Sequence, residues 1–193
     1  MQETNGNQLE NLEIELGVVG PGAFGRQVQN DFHQLIGAHQ AEGWSNQLQN
    51  EPGGVLAYDR YWRLGVPFLN WTTDGVENGV DVVPTIGATV GNVFDYAQAG
   101  AQIRIGHHLE TDYGPARVRP SISGTDYFNG AHLGDDIGWY VYAGAGGRAV
   151  ARNIFLDGNS FRTSAHVEHK TFVADLQGGV ALYWSDRVRV DFS

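Results

Sequence analysis

At 193 residues, with 27 Gly, 11% aromatic and only 18% charged residues, the chain is long enough for one domain with a sizeable core. A net charge of −10 argues against nucleic acid, because phosphate binding needs clustered Lys and Arg. The absence of Cys excludes disulfide and thiolate-metal frameworks. No apolar run reaches the roughly 18 residues of a transmembrane helix. The opening MQETNGNQLE has neither the basic nor the apolar region of a signal peptide. Such a composition fits an outer-membrane β-barrel or a soluble β-sandwich, and does not separate the two.

The first predicted strand is Leu12 to Val18. Leu12, Ile14, Leu16 and Val18 lie on one face, with Glu13, Glu15 and Gly17 on the other. Two carboxylates on one side of a strand suit a wet lumen better than a protein core. From Arg26 the period changes. Val28, Phe32, Leu35 and Ile36 recur at helical spacing, and Gly37 sits where a helix would end, so a single amphipathic helix is expected over about 26–37. His33 and Gln29 fall at the border of its apolar face; Asn30 and Asp31 point away. A histidine on such a rim suits a general base working near neutral pH, although spacing alone favours an ordinary boundary residue of a short surface helix. A lone helix inserted among β-hairpins points to function.

Trp44 to Pro52 reads as a polar loop. Val55–Leu64 and Val66–Thr73 read as a hairpin closed near Gly65, with Pro67 demoting the start of the second strand. Val80–Asn92 and Phe94–Gly106 form a second pair. From His107 to Asp136 periodicity fades, and this long loop is assigned to the outer end of a barrel. Alternation resumes in GWYVYAGAGGR, where Trp139, Val141, Ala143 and Ala145 share a face. Asp157-Gly158-Asn159 marks a turn. The clearest strand follows: Phe172, Ala174, Leu176, Gly178, Val180 and Leu182 face one way, with Asp175, Gln177 and Tyr183 facing the other. Ser185-Asp186 turns into Val188–Ser193, which is shorter than the roughly nine to eleven residues a crossing strand needs. The expectation is seven strands and a stub: an internal piece of a larger antiparallel barrel, lacking strands at both ends, forming one domain over 1–193.

Several stretches, taken in order, resemble the outer-membrane lipid A 3'-O-deacylase family (LpxR-like). They are GVVGPGAFGRQVQNDFHQLIG with GWSNQLQNEP, VDVVPTIGATVGNVFDYAQAGAQIRIG with YGPARVRP, AGAGGRAVARNIFLDGNSFR, and ADLQGGVAL. The resemblance spans nearly the whole chain. It implies a twelve-stranded, monomeric barrel in the Gram-negative outer membrane, with an active site between the wall and a helix from an outward-facing loop. The implied reaction is calcium-dependent hydrolysis of the ester holding the 3' acyloxyacyl chain of lipid A, so the partners are lipopolysaccharide and outer-membrane lipid. His33 matches the family's catalytic histidine in its QNxxH segment and would take a proton from water, while Ca²⁺ would stabilise the oxyanion. The family's Asn-Asp pair and its Thr and Lys site residues are expected to lie before this chain, so no calcium ligands are assigned and the chain alone is expected to be inactive.

Glu42, in the loop after the helix, is a candidate supporting carboxylate or a plain loop residue, and Gln29 and Asn30 could orient His33 or water or simply decorate the helix. His107-His108 followed by Glu110 has the composition of a metal cluster, but adjacent residues of a strand face opposite ways, so a plain loop pair is expected. Asp157-Gly158-Asn159 lacks the rest of an EF-hand loop. Arg60, Arg63, Arg104 and Arg148 are expected to line the lumen and pair with Glu13, Glu15 and Asp175. The alternatives to an enzyme are a passive pore or structural barrel, and a soluble β-rich binding domain.

Overall fold

From Phe94 to His107 the buried residues are Phe94, Tyr96, Gln98, Gln102, Arg104 and Gly106, while Ala97, Ala99, Ala101, Ile103 and Ile105 are exposed. This inverts the pattern of a water-soluble sheet: polar groups are packed inward and small or branched apolar groups face out. The same inversion runs through the wall of the protein. The computed structural model describes residues 2–73, 75–115, 127–134, 136–184 and 188–192. In chain order it comprises β1 (Gln2–Thr4), β2 (Gln8–Val19), α1 (Gly25–Leu35), β3 (Glu51–Trp62), β4 (Leu64–Gly65), β5 (Trp71–Thr73), β6 (Val76–Gly91), β7 (Phe94–His107), β8 (Ile137–Asn153), α2 (Ile154–Asp157), β9 (Phe172–Trp184) and β10 (Val188–Phe192).

The strands form one antiparallel sheet in the order β1-β2-β3-β6-β7-β8-β9-β10, with β4 and β5 paired to β6. The sheet curls into a half-barrel with β1 and β10 at its edges. The six long strands, of 12 to 17 residues, exceed the roughly nine to eleven needed to cross a bilayer. Outward, Leu16 of β2 and Leu176 of β9 are 84% and 87% exposed. No described helix is long and apolar enough to span a membrane, so crossing falls to the strands.

The concave face is held by charge at one end. Arg104 is fully buried and reaches both Asp81 oxygens, Asp112, and the Leu109 carbonyl at 2.9 Å. Asp112 also accepts from the Tyr140 hydroxyl at 3.0 Å and pairs with Arg189 at 3.2 Å. Arg63 donates to the carbonyls of Glu110 and Asp112. Segment 109–113 is thereby drawn inside the curl of the wall. Of the expected lumen pairs, Arg148–Asp175 forms at 3.2 Å. Arg60 instead pairs with Glu10, because Glu10 lies directly across the β2–β3 register from it.

The Val66–Thr73 stretch is not a wall strand. Pro67 opens a short 3-10 turn, only Trp71–Thr73 pairs with β6, and β3 meets β6 directly. In addition, β1 pairs with β2 through the Asn5-Gly6-Asn7 turn, an Asn-Gly hairpin signal in the sequence. Topology also corrects the placement of the long 107–136 loop. Three wall strands, β3, β6 and β7, lie between α1 and that loop. An odd number of crossings puts the two at opposite ends, so they cannot share the outer one. The 154–171 loop, one strand further on, returns to the end that carries α1. The Ser185-Asp186 turn and residues 116–126 fall outside the described residues.

Candidate functional site

The chain leaves β2 through Gly20-Pro21-Gly22. At Gly20, with φ +102°, a Cβ would sit 2.7 Å from the Gln49 carbonyl group, so only glycine lets the outgoing and returning chain touch here. The Asn50 side chain accepts from the Gly22 N–H at 2.6 Å and fastens the same contact. The helix follows from Gly25 to Leu35, close to the span expected from its period. None of its residues is buried. Its apolar stripe of Val28, Phe32, Leu35 and Ile36 is exposed, with Leu35 at 82%. The stripe is thus not packed under any other described part of the chain.

Gly37, at φ +69°, ends the helix and folds the chain back over its last turn, so that the Ala38 N–H reaches the His33 carbonyl at 2.8 Å. Two residues on, the His39 carbonyl meets Nδ1 of His33 at 2.5 Å. A carbonyl oxygen only accepts, so Nδ1 carries the proton and Nε2 is left with its lone pair. His33 is half-buried. It is thus oriented and is basic at one defined atom.

Beside it lies a polar cavity of about 660 Å³, lined by Arg26, Asn30, His39, Glu42 and Trp44 among others. Asn30 Oδ1 and Trp44 Nε1 are buried with no hydrogen-bond partner, an acceptor and a donor suited to a polar ligand. Asn30 and Glu42 therefore meet at one cavity next to His33. Gln29 does not line it and is exposed.

At the foot of the helix an apolar trough of about 550 Å³ runs between Val18, Val19, Gly25, Trp44 and Leu48 on one side and Phe155, Leu156 and Val167 on the other. Its far wall belongs to the 154–171 loop, which is stitched across. The Asn159 amide donates to the Gln49 carbonyl at 2.8 Å and accepts from the Gln49 N–H at 3.0 Å. The buried Glu51 carboxylate accepts from the Ser160 N–H at 3.0 Å. Asp157-Gly158-Asn159 is thus a turn, as read from sequence, with Asn159 serving as its clamp. Sequence reasoning missed Asn159 and Asn50, whose side-chain amides bind backbone groups of distant segments, and the His39 carbonyl, which is placed by the turn at Gly37.

A calcium ion takes six to eight oxygen ligands. Near His33 the side-chain oxygens include Asn30 Oδ1 and the Glu42 carboxylate, and no group of three His, Asp or Glu converges there among the described residues. The residues present do not by themselves make up a calcium shell.

A family profile described as "Outer membrane protein LpxR" matches residues 1–193. The chain belongs to the LpxR family. Its place is the Gram-negative outer membrane, in keeping with the outward apolar faces of the strands. Among solved structures, "LpxR from Salmonella typhimurium" has a similar fold, with a TM-score of 0.72 and 24% sequence identity. The match covers 95% of this chain and 59% of that one. No curated protein matches by sequence.

Proposed function

We propose that this LpxR-family chain carries part of the active site of a lipid A deacylase that hydrolyses the ester holding the 3' acyloxyacyl chain. The observation that carries the reading is the anchored His33, whose neighbours Asn30 and His39 line a polar cavity, with an apolar trough at the other end of the same helix. Lipid A brings the matching parts: phosphates and sugar hydroxyls for the cavity beside Arg26, and acyl chains for the trough. In the reaction, His33 Nε2 takes a proton from water as the water oxygen attacks the ester carbonyl carbon. The tetrahedral intermediate collapses with rupture of the acyl C–O bond. The proton returns from Nε2 to the departing sugar alkoxide, giving a free hydroxyl and a fatty acid. The Asn30 amide and Glu42 orient the water or the substrate. Calcium dependence is proposed from the family resemblance alone.

The passive-pore reading is less well supported, because the Arg104–Asp81–Asp112 network packs segment 109–113 inside the wall. The test is mass spectrometry of lipid A from Gram-negative cells expressing the full-length protein or its His33→Ala variant. Loss of a 3' acyloxyacyl mass in the first and not in the second is expected, with turnover down roughly 10²- to 10⁴-fold. Unchanged lipid A in both, with protein properly inserted, sinks the enzymatic reading.

A further inference from the structure

At the opposite end of the wall a second histidine site is built, unrelated to the chemistry at α1. β7 ends at His107, and His108 leaves the strand with φ +57°, a left-handed conformation uncommon for a non-glycine residue. Strand alternation, which would separate the two side chains, therefore stops between them. Their rings lie 3.8 Å apart, centroid to centroid. The Tyr183 hydroxyl lies 2.8 Å from the His107 carbonyl and 2.7 Å from the His108 carbonyl, fixing this turn from β9. Strain held in place by neighbouring structure is characteristic of functional positions.

Each ring is oriented through Nδ1. In His107 that atom meets the Glu77 carbonyl. In His108 it lies 2.9 Å from Glu110 Oε1. In the neutral form of each ring, Nδ1 donates to that oxygen and Nε2 is the atom that carries the lone pair. A second-shell oxygen on one nitrogen with the other left as ligand is the arrangement of metal-binding histidines. Nε2 of His108 is buried and has no hydrogen-bond partner, and it lies 3.8 Å from Asp136 Oδ2. One ligand atom each from His107, His108 and Asp136 can be chosen so that all lie within 4.8 Å of one another.

We propose that His107, His108 and Asp136 form a site for a borderline divalent cation of the zinc class, with Glu110 and the Glu77 carbonyl as its orienting shell. Two ligand atoms about 2.1 Å from a tetrahedral ion stand roughly 3.4 Å apart, so the 3.8 Å gap between His108 and Asp136 closes by a few tenths of an ångström. Asp136 is exposed and has room to make that shift. Two imidazoles and one carboxylate favour zinc or nickel over calcium, which prefers an all-oxygen shell. His107 ends β7 and Asp136 directly precedes β8, so the ion closes the long loop across its own base and holds both strand ends together. His108 also lines a solvent-connected cavity of about 430 Å³ with Arg63, Trp71 and Glu77, which gives the ion a way in.

The test uses the full-length protein, extracted from outer membranes in detergent and stripped with chelator. ZnCl2 is titrated by calorimetry and by thermal unfolding, beside CaCl2. The site predicts a zinc equivalent that raises the Tm and that weakens at least tenfold in both His108→Ala and Asp136→Asn. It also predicts a roughly 10- to 100-fold weakening in Glu110→Gln and retention in His33→Gln. Asp136 is exposed, so its variant remains informative if His108→Ala fails to insert. Zinc binding that is equal in wild type and Asp136→Asn, or that disappears with His33→Gln, overturns the site, as does calcium binding that depends equally on Asp136.

Discussion

Gly37 does as much for His33 as any residue on the helix itself. Its positive φ turns the chain so that the His39 carbonyl reaches Nδ1, and that contact selects the tautomer in which Nε2 is basic. Nothing lies within 4 Å of a Cβ placed there, so a substitution meets no clash and acts through backbone conformation alone. Gly37→Val should cost roughly 1–2 kcal/mol locally and lower deacylation at least tenfold while the protein still inserts. Gly37→Asn, which tolerates the left-handed region, should retain most turnover by the same lipid A mass readout. The position of His33 on the helix rim was legible in its spacing from Phe32 and Leu35. Its anchor was not, because the partner is a backbone carbonyl delivered by a turn. His107 and His108 show the converse: strand alternation holds only while the strand lasts, and the left-handed turn at His108 has no marker in its side-chain identity.

At the scale of elements, the 154–171 loop is one wall of the apolar trough. It is pinned by Asn159, by Ser160 on Glu51, and by the His169 ring 2.6 Å from Asp157. Burial would raise the Asp157 pKa, but the Asn153 N–H and the His169 ring outweigh it and hold the carboxyl below the usual aspartate value. A depressed folded-state pKa stabilises the docked loop at pH values above the unfolded value of about 4, and that contribution is lost as pH falls through the lower folded value. Protection of the 158–170 amides, measured against their intrinsic exchange rates, should therefore stay high near neutral pH and fall only under acid conditions. Asp157→Asn should speed exchange at pH 7 and flatten the acid response. Two-residue alternation made the long strands readable in sequence, from Leu12–Val18 to the run from Phe172. It failed at Val66–Thr73, whose apolar content mimics a strand although Pro67 begins a turn and β3 reaches past it to β6.

Across the whole molecule, the polar network inside the curl works beside two small buried clusters, Leu133 with Tyr140, Tyr142 and Tyr183, and Leu9 with Tyr61, Val83 and Tyr113. Arg104 pairs with Asp81 and Asp112 together, and removing it strands the buried Asp81 and leaves Asp112 to Arg189 and Tyr140. Arg104→Met should cost about 3–5 kcal/mol, seen as a lower temperature at which the folded band on an unheated detergent gel gives way to the unfolded one. The barrel class was legible because apolar residues alternate outward along the long strands; the assignment of ends was not, since it depends on counting crossings, and one false strand reverses the count. The exposed stripe of α1 carries a further consequence for rate. A helix with Val28, Phe32, Leu35 and Ile36 turned outward beside the outer faces of the wall meets lipid as its solvent. On the proposed reaction, encounter then takes place in two dimensions. Bulk concentration ceases to be the governing variable, and turnover follows the mole fraction of lipid A in the surrounding leaflet. Diluting a fixed amount of substrate with inert detergent should slow the reaction at constant volume.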